Sequence, residues 1–250
     1  MNDINVKITD DEMLYNYYSP YNLNFLIGMF NQLKISFADM LKAEDKDRIT
    51  KIILMRYELV ARYCQFAESV GALILGYHNL KLSSKKKLNN SHSQQILNFL
   101  SAYNVKDIDN FYLDIINKSF QGDFKIIFGY DILDVSSKQF IDSSITNIII
   151  SIRKVSESYL KYKESYNAYK HGYRIWIKNE NNIPAVLYRD RKKQEKTNSL
   201  TDSDLEQVIE SSDYCKMLYQ IITNNHKEIF YNYINSKEKG KPLKIMFWEK

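Results

Sequence analysis

The stretch Ile141–Gly172, IDSSITNIIISIRKVSESYLKYKESYNAYKHG, decides the fold. Its apolar and aromatic residues Ile141, Ile145, Ile148, Ile152, Val155, Tyr159, Tyr162, Tyr166 and Tyr169 recur at alternating spacings of four and three. That rhythm puts them on one face of an α-helix, where residues three or four apart lie above one another. The same rhythm returns in Leu23, Leu26, Phe30, Leu33, Phe37 and Met40. It returns again in Ile53, Tyr57, Val60, Cys64, Ala67, Gly71 and Ile74. A last run is Leu205, Val208, Ser212, Cys215, Tyr219, Ile222, His226, Ile229 and Tyr233, opened by the capping-box pattern Ser203-x-x-Glu206. At 1.5 Å per residue the third and fourth helices reach roughly 45 Å or more. Each buries one stripe, so they pack side by side, and the mixed residues along the seams favour a globular bundle over an extended coiled coil.

Two regions break this pattern. Between the second and third long helices lie KLSSKKKLNNSHS and two shorter helical stretches, around Gln94–Tyr103 and Val105–Lys118. FQGDFKIIFGYDILD follows, with Gly122 and Gly129 marking loops. Gly172 sits where a helix C-cap belongs, and the period then changes to two. YRIWIKNENNIPAVLYRDR reads as two short strands around an Asn-rich turn. RDRKKQEKTNS reads as a basic, mobile connector, and the tail KPLKIMFWEK as a candidate third strand. The expected architecture is mainly α, an antiparallel bundle of four to five long helices covering 21–172 and 201–236. A small β hairpin or sheet is appended over 173–190, with a possible strand at 241–248, and the whole of 1–250 forms a single domain.

Composition agrees. With 44% apolar residues among 250, the chain has enough for a core, while seven Gly and three Pro are too few for an all-β fold. A net charge of +5 does not by itself establish nucleic-acid binding. Cys64 and Cys215 both fall in helical apolar patterns and read as buried thiols of a reducing compartment. No apolar run approaches the roughly 20 residues of a membrane helix. The polar, acidic MNDINVKITDDEM is no secretory signal, so the expectation is a cytoplasmic protein without membrane contact.

Most catalytic constellations are absent: there is no Gly-rich phosphate loop, no paired-Cys zinc spacing and no His-Glu-x-x-His. No metal and no cofactor is expected. His78 and His92 flank the Lys-rich loop and read as solvated surface, whereas His226 falls on an apolar stripe and reads as a core histidine bonded to Asn224 or Asn225. The stretch Asn-Ala-Tyr-Lys-His-Gly at 167–172 is different. Asn167 and His171 lie four apart, as do Lys163 and Asn167, with Lys170 and Arg174 beside them. On a helix this makes one polar edge next to the tyrosine seam. The plain explanation is a C-terminal cap, since cations near a helix C-terminus gain about 0.3–1 kcal/mol from the macrodipole.

A polar residue followed four positions later by His, late in a long bundle helix, resembles the HEPN superfamily. That pattern is an Arg, a polar residue that is often Asn, and a His. Asn167 matches the polar position and His171 the histidine, but Glu164, Ser165 and Tyr166 occupy the allowed Arg positions and none is cationic. The resemblance spans Asp45 to Ser236. It implies bacterial stress or phage defence, a homodimer whose two motifs form a composite cleft, and metal-independent attack of an RNA 2′-OH on the adjacent phosphate. His171 is then the proton carrier, Asn167 its orienting partner, and Lys170 or Arg174 the substitute for the missing guanidinium. Lys161, Lys163, Arg189, Arg191, Lys192 and Lys193 are the candidates for holding an RNA backbone. Tyr162, Tyr166 and Tyr169 continue the core seam and read as packing; Tyr173 is the fourth tyrosine of the segment.

The chain thus either cleaves RNA or only binds it. From a different class comes the alternative of a non-catalytic dimerisation or adaptor bundle that docks a partner enzyme. The partners implied are RNA, a second copy of the chain, and a protein partner or antitoxin.

Overall fold

The computed structural model describes residues 28, 31–36, 38–39, 42, 48–80, 91–130, 133, 135–170, 175–180, 183–189, 195–198, 200–234 and 243–248. Its helices are α1 (Arg48–His78), α2 (Ser91–Ala102), α3 (Val105–Ile116), α4 (Val135–Lys170) and α5 (Asp202–His226). A 3-10 turn, Phe124–Phe128, sits between α3 and α4 and ends on Gly129 at φ 59°, a left-handed position that suits a residue without a Cβ. Residues 31–36 and 38–39 are also helical, with Leu33 half-buried and Ile35 exposed. Leu23, Leu26, Phe30, Phe37 and Met40 lie outside the described residues, as does most of KLSSKKKLNNSHS.

The mainly helical bundle expected from the sequence is present, and its stripes are its core. Ile53, Tyr57, Val60, Cys64, Ala67 and Ile74 of α1 are all buried. So are Ile141, Ile148, Ile152, Val155, Tyr159, Tyr162 and Tyr166 of α4. Leu205, Val208, Ser212, Cys215, Tyr219, Ile222 and His226 of α5 complete the set. Except for Leu205, Ser212 and His226, they join one continuous cluster with Ile108, Phe111, Tyr112 and Ile115 of α3. Both thiols are fully buried and free, and burial pushes each of them up.

Side-chain contacts give the helix directions. Ser158 of α4 meets Ser211 of α5 (2.7 Å), and Tyr162 meets Asp204 (2.7 Å), so these two helices run antiparallel. Glu58 of α1 accepts from Tyr169 of α4, whereas Tyr63, five residues further along α1, donates to the Val155 carbonyl (2.8 Å) fourteen residues earlier in α4, so α1 and α4 are antiparallel as well. α1 and α5 consequently run parallel, with Arg56 at Leu200 and Tyr77 at His226. α3 crosses α1 at Gly71, where an added Cβ would come within 2.9 Å of Ile108 and 3.0 Å of the Tyr112 hydroxyl.

After α4, β1 (Ile175–Glu180), β2 (Ile183–Arg189) and β3 (Glu195–Asn198) form an antiparallel sheet in the order β1-β2-β3. β1 faces β2 in the register Ile175↔Tyr188 to Glu180↔Ile183, and Arg189 faces Glu195. β2 lies against α1 and α4.

Several expectations need correction. The third strand is Glu195–Asn198, within the segment read as a mobile connector, and 243–248 forms no strand. Burial alternates from Leu243 to Phe247 and ends there, because Trp248 turns inward as well, and the backbone finds side chains instead of a neighbouring strand. Asn225 bonds Met246 twice (2.8 and 3.1 Å), Ser144 accepts from the Trp248 N–H (3.1 Å), and Asn147 donates to the Trp248 carbonyl (3.3 Å). The cap of α5 lies two residues before the expected one: Thr201 and Asp204 form the reciprocal box, not Ser203 and Glu206. The last run also changes winding, since Lys227–Ile234 is π-helical.

Candidate functional site

α4 is a helix of 36 residues that continues through Asn167 to Lys170. Helical spacing therefore holds for Lys163, Asn167 and Lys170. Asn167 is half-buried and Lys170 exposed. His171, Gly172, Tyr173 and Arg174 lie outside the described residues, and so do Arg191, Lys192 and Lys193. Arg189 closes β2. Two of the lysines proposed for an RNA backbone are engaged within the fold. Lys161 donates to Asp204 (2.6 Å) and Gln207 (3.0 Å), and the Lys163 ammonium lies 3.4 Å from Asp109. Burial raises the Asp204 carboxyl, but donors from Lys161, Thr201 and Tyr162 outweigh it and hold the group well below the usual carboxylate range.

Where α4 runs antiparallel to α1, the end of its stripe opens into a cleft of about 350 Å³. Tyr103, from the link between α2 and α3, lines it together with Tyr166 and Tyr169 of α4. Tyr169 was expected in the core, yet it is 36% exposed and its hydroxyl donates to Glu58. Burial and the Glu58 carboxylate together push that phenol up to about 12, so it stays a donor at neutral pH.

Two cations stand on the cleft. Arg62 of α1 binds Glu58 through Nε (2.8 Å) and Gln65 through one terminal nitrogen (3.1 Å). A guanidinium carries five N–H donors, so part of its fork stays available. Lys170 lies over the Tyr166 ring, 5.6 Å from its centroid, and pairs with no carboxylate at ion-pair distance among the described residues.

The floor of the cleft is Glu68, only 6% exposed. Tyr166 donates to one of its oxygens (3.2 Å) and Tyr159 contacts the other (3.2 Å). The same Tyr159 hydroxyl is 3.1 Å from Asp109. Burial pushes Tyr159 and Tyr166 far up, and the nearby carboxylates add to it, so each phenol keeps its proton. The one Tyr159 hydroxyl proton is thus shared between two carboxylates. Burial pushes the Glu68 carboxyl up, against the pull of Lys170 and the two tyrosines.

Sequence reading missed Glu58, Arg62, Glu68 and Asp109. A signal existed for the last two. Glu68 falls four residues after Cys64 on the buried stripe, and Asp109 sits between Ile108 and Phe111 on the inner face of α3. A carboxylate on an apolar stripe demands a partner. The histidines divide differently. His92 is 2% exposed, which corrects its reading as solvated surface; a position inside the first turn of α2 turns it toward the bundle. His78 is exposed and rests on Phe120, with ring centroids 4.9 Å apart. His226 is the expected core histidine, but it bonds through Nδ1 to the Tyr77 hydroxyl instead of to Asn224 or Asn225.

Among the described residues no group of three or more His, Cys, Asp or Glu is placed to hold a metal ion, and no helix is long and apolar enough to cross a membrane. No family model, curated protein or solved structure matches the chain.

Proposed function

We propose that this chain is a HEPN-like protein of bacterial stress or phage defence that binds RNA, and that any cleavage it performs is metal-independent. The observation that carries the reading is the Arg62 guanidinium, which shares a cleft with Lys170 at the end of α4. The motif lacks its Arg within α4, and Arg62 supplies from α1 the planar fork that phosphate oxygens favour. In a cleaving reaction His171 takes the proton from a ribose 2′-OH, the O2′–P bond forms and the P–O5′ bond breaks. The leaving 5′-oxygen takes up a proton, giving a 2′,3′-cyclic phosphate and a 5′-hydroxyl end. Asn167 orients the imidazole, and Arg62 with Lys170 offsets the charge gathering on the phosphate. A second copy of the chain contributes its own motif to the composite cleft.

The test is RNA binding and cleavage by the purified protein in EDTA at low salt, beside His171→Ala and Arg62→Ala. The expected result is RNA binding that weakens in Arg62→Ala. Cleavage, if present, survives EDTA and disappears in His171→Ala. A protein that neither retains nor cuts single-stranded RNA overturns the reading and leaves the non-catalytic adaptor.

A further inference from the structure

We infer that the α1–α4 cleft takes one unstacked nucleotide, its base among the tyrosines and its phosphate at Arg62 and Lys170. This rests on the RNA-binding function proposed above and names what that site recognises. Size is the first argument. Ligand pockets run from roughly 300 to 1,000 Å³, and this cleft, at about 350 Å³, suits a single nucleotide while excluding a duplex.

The second argument is the chemistry of the walls. Three tyrosines, Tyr103, Tyr166 and Tyr169, line one small space. Sequence-tolerant recognition of single-stranded RNA relies on such rings, because every base has a π-face to stack. Tyr169 is partly exposed and Tyr103 half-buried, so neither is sealed into the core as Tyr159 and Tyr162 are.

Charge is the third. The carboxylates in the cleft would repel a phosphate if they stood alone, but Glu58 is offset by Arg62 and Asp109, beneath, by Lys163. Glu68 at the floor is 6% exposed and its two oxygens are met by the Tyr159 and Tyr166 hydroxyls, so it is not left bare toward the cleft. Lys170 makes no ion pair with a carboxylate among the described residues, and the spare donors of Arg62 line the same cleft. The chemistry recognised is thus a planar heterocycle carrying a phosphate, whether a free mononucleotide or a nucleotide within a strand.

The experiment is calorimetric titration of the full chain at low salt with the four ribonucleoside 5′-monophosphates, adenosine, inorganic phosphate and a single-stranded oligoribonucleotide. Wild type is set beside Lys170→Gln, Arg62→Gln and Tyr169→Leu, each checked for helicity and cooperative melting. The mononucleotides are expected to bind more tightly than either adenosine or phosphate. Loss of one charged contact lowers that affinity about tenfold, and the oligonucleotide follows the same order of variants. If Tyr169→Leu does not fold, Lys170→Gln decides, because its side chain lies at the exposed end of α4. Oligonucleotide binding untouched by any cleft substitution, with no mononucleotide bound, overturns the nucleotide pocket and leaves the RNA function standing. Mononucleotide binding that depends on Lys170, without oligonucleotide binding, keeps the pocket and overturns the RNA function. Phosphate binding as tightly as the mononucleotides removes the base from the proposal and overturns it.

Discussion

At the residue scale, two buried titratable groups pull stability in opposite directions with pH. His226 is buried, with Nδ1 on the Tyr77 hydroxyl and Nε2 without a partner among the described residues. Burial drives its pKa from 6.5 down to about 3. The unfolded chain therefore binds the extra proton between those values and the folded chain does not, so stability falls as pH drops below 6.5. The slope approaches about 1.4 kcal/mol per pH unit, or about 2 kcal/mol between pH 6.5 and 5. Glu68 has the opposite sign: its folded pKa is raised above 4.5, so the folded state holds the extra proton and stability falls as pH rises through that window. Urea titrations of wild type and His226→Gln at pH 7 and 5 separate the two. The variant keeps an acceptor for Tyr77 and loses only the histidine titration, so the stability gap between the proteins should close on the acid side. Parallel pH profiles would show that His226 is not held neutral. The sequence placed His226 in the core correctly but named the wrong partner. Periodicity assigns a residue to a face, whereas the group opposite depends on which helix packs there.

At the scale of the elements, Gly71 links helix pattern to helix crossing. It occupies an apolar stripe where Ala would favour the helix by about 1 kcal/mol. Yet a Cβ there meets Ile108 at 2.9 Å and Tyr112 at 3.0 Å, and the Tyr112 hydroxyl is anchored on the Ala67 carbonyl at 2.5 Å. The close approach of α3 therefore outweighs propensity. Gly71→Ala should lower stability by up to about 2 kcal/mol, the overpacking cost of about 1–3 less the propensity gain of about 1. Thermal melts decide it, and an unchanged or raised Tm would mean that α3 shifts aside freely. The long helices were legible because one stripe per helix survives any arrangement of neighbours. Their ends were less so. Ser203-x-x-Glu206 and Thr201-x-x-Asp204 are equally good boxes on paper, and Lys161 and Tyr162 of α4, converging on Asp204, favour the earlier one. The cleft shows the same division. Lys170 could be read from α4 alone, but Arg62 and Glu68 lie about a hundred residues away and share a cleft with it only when α1 and α4 pack antiparallel.

On the scale of the whole molecule, the parallel pair α1 and α5 needs something to close the bundle beyond short antiparallel turns, and the C-terminal segment 243–248 contributes to this. Its Trp248 is 7% exposed and stacks near Tyr214 of α5, with ring centroids 6.5 Å apart, while its backbone is held by Ser144 and Asn147 of α4. Two residues earlier, Met246 is fixed by Asn225 of α5. The segment thus straps the first half of α4 to the last half of α5, at the end opposite the Thr201 cap. A strand joined to a sheet would lose one edge on truncation; a strap loses both its helix contacts together. Trp248→Ala should therefore cost about 3–5 kcal/mol, the range for emptying a buried aromatic site. Denaturant midpoints measure it, and hydrogen exchange locates it: protection should fall in 141–150 and 214–226 and persist around Arg56 and Asp202. A loss below about 1 kcal/mol, or exchange rising evenly along the chain, would mean that α4 and α5 hold together without the strap.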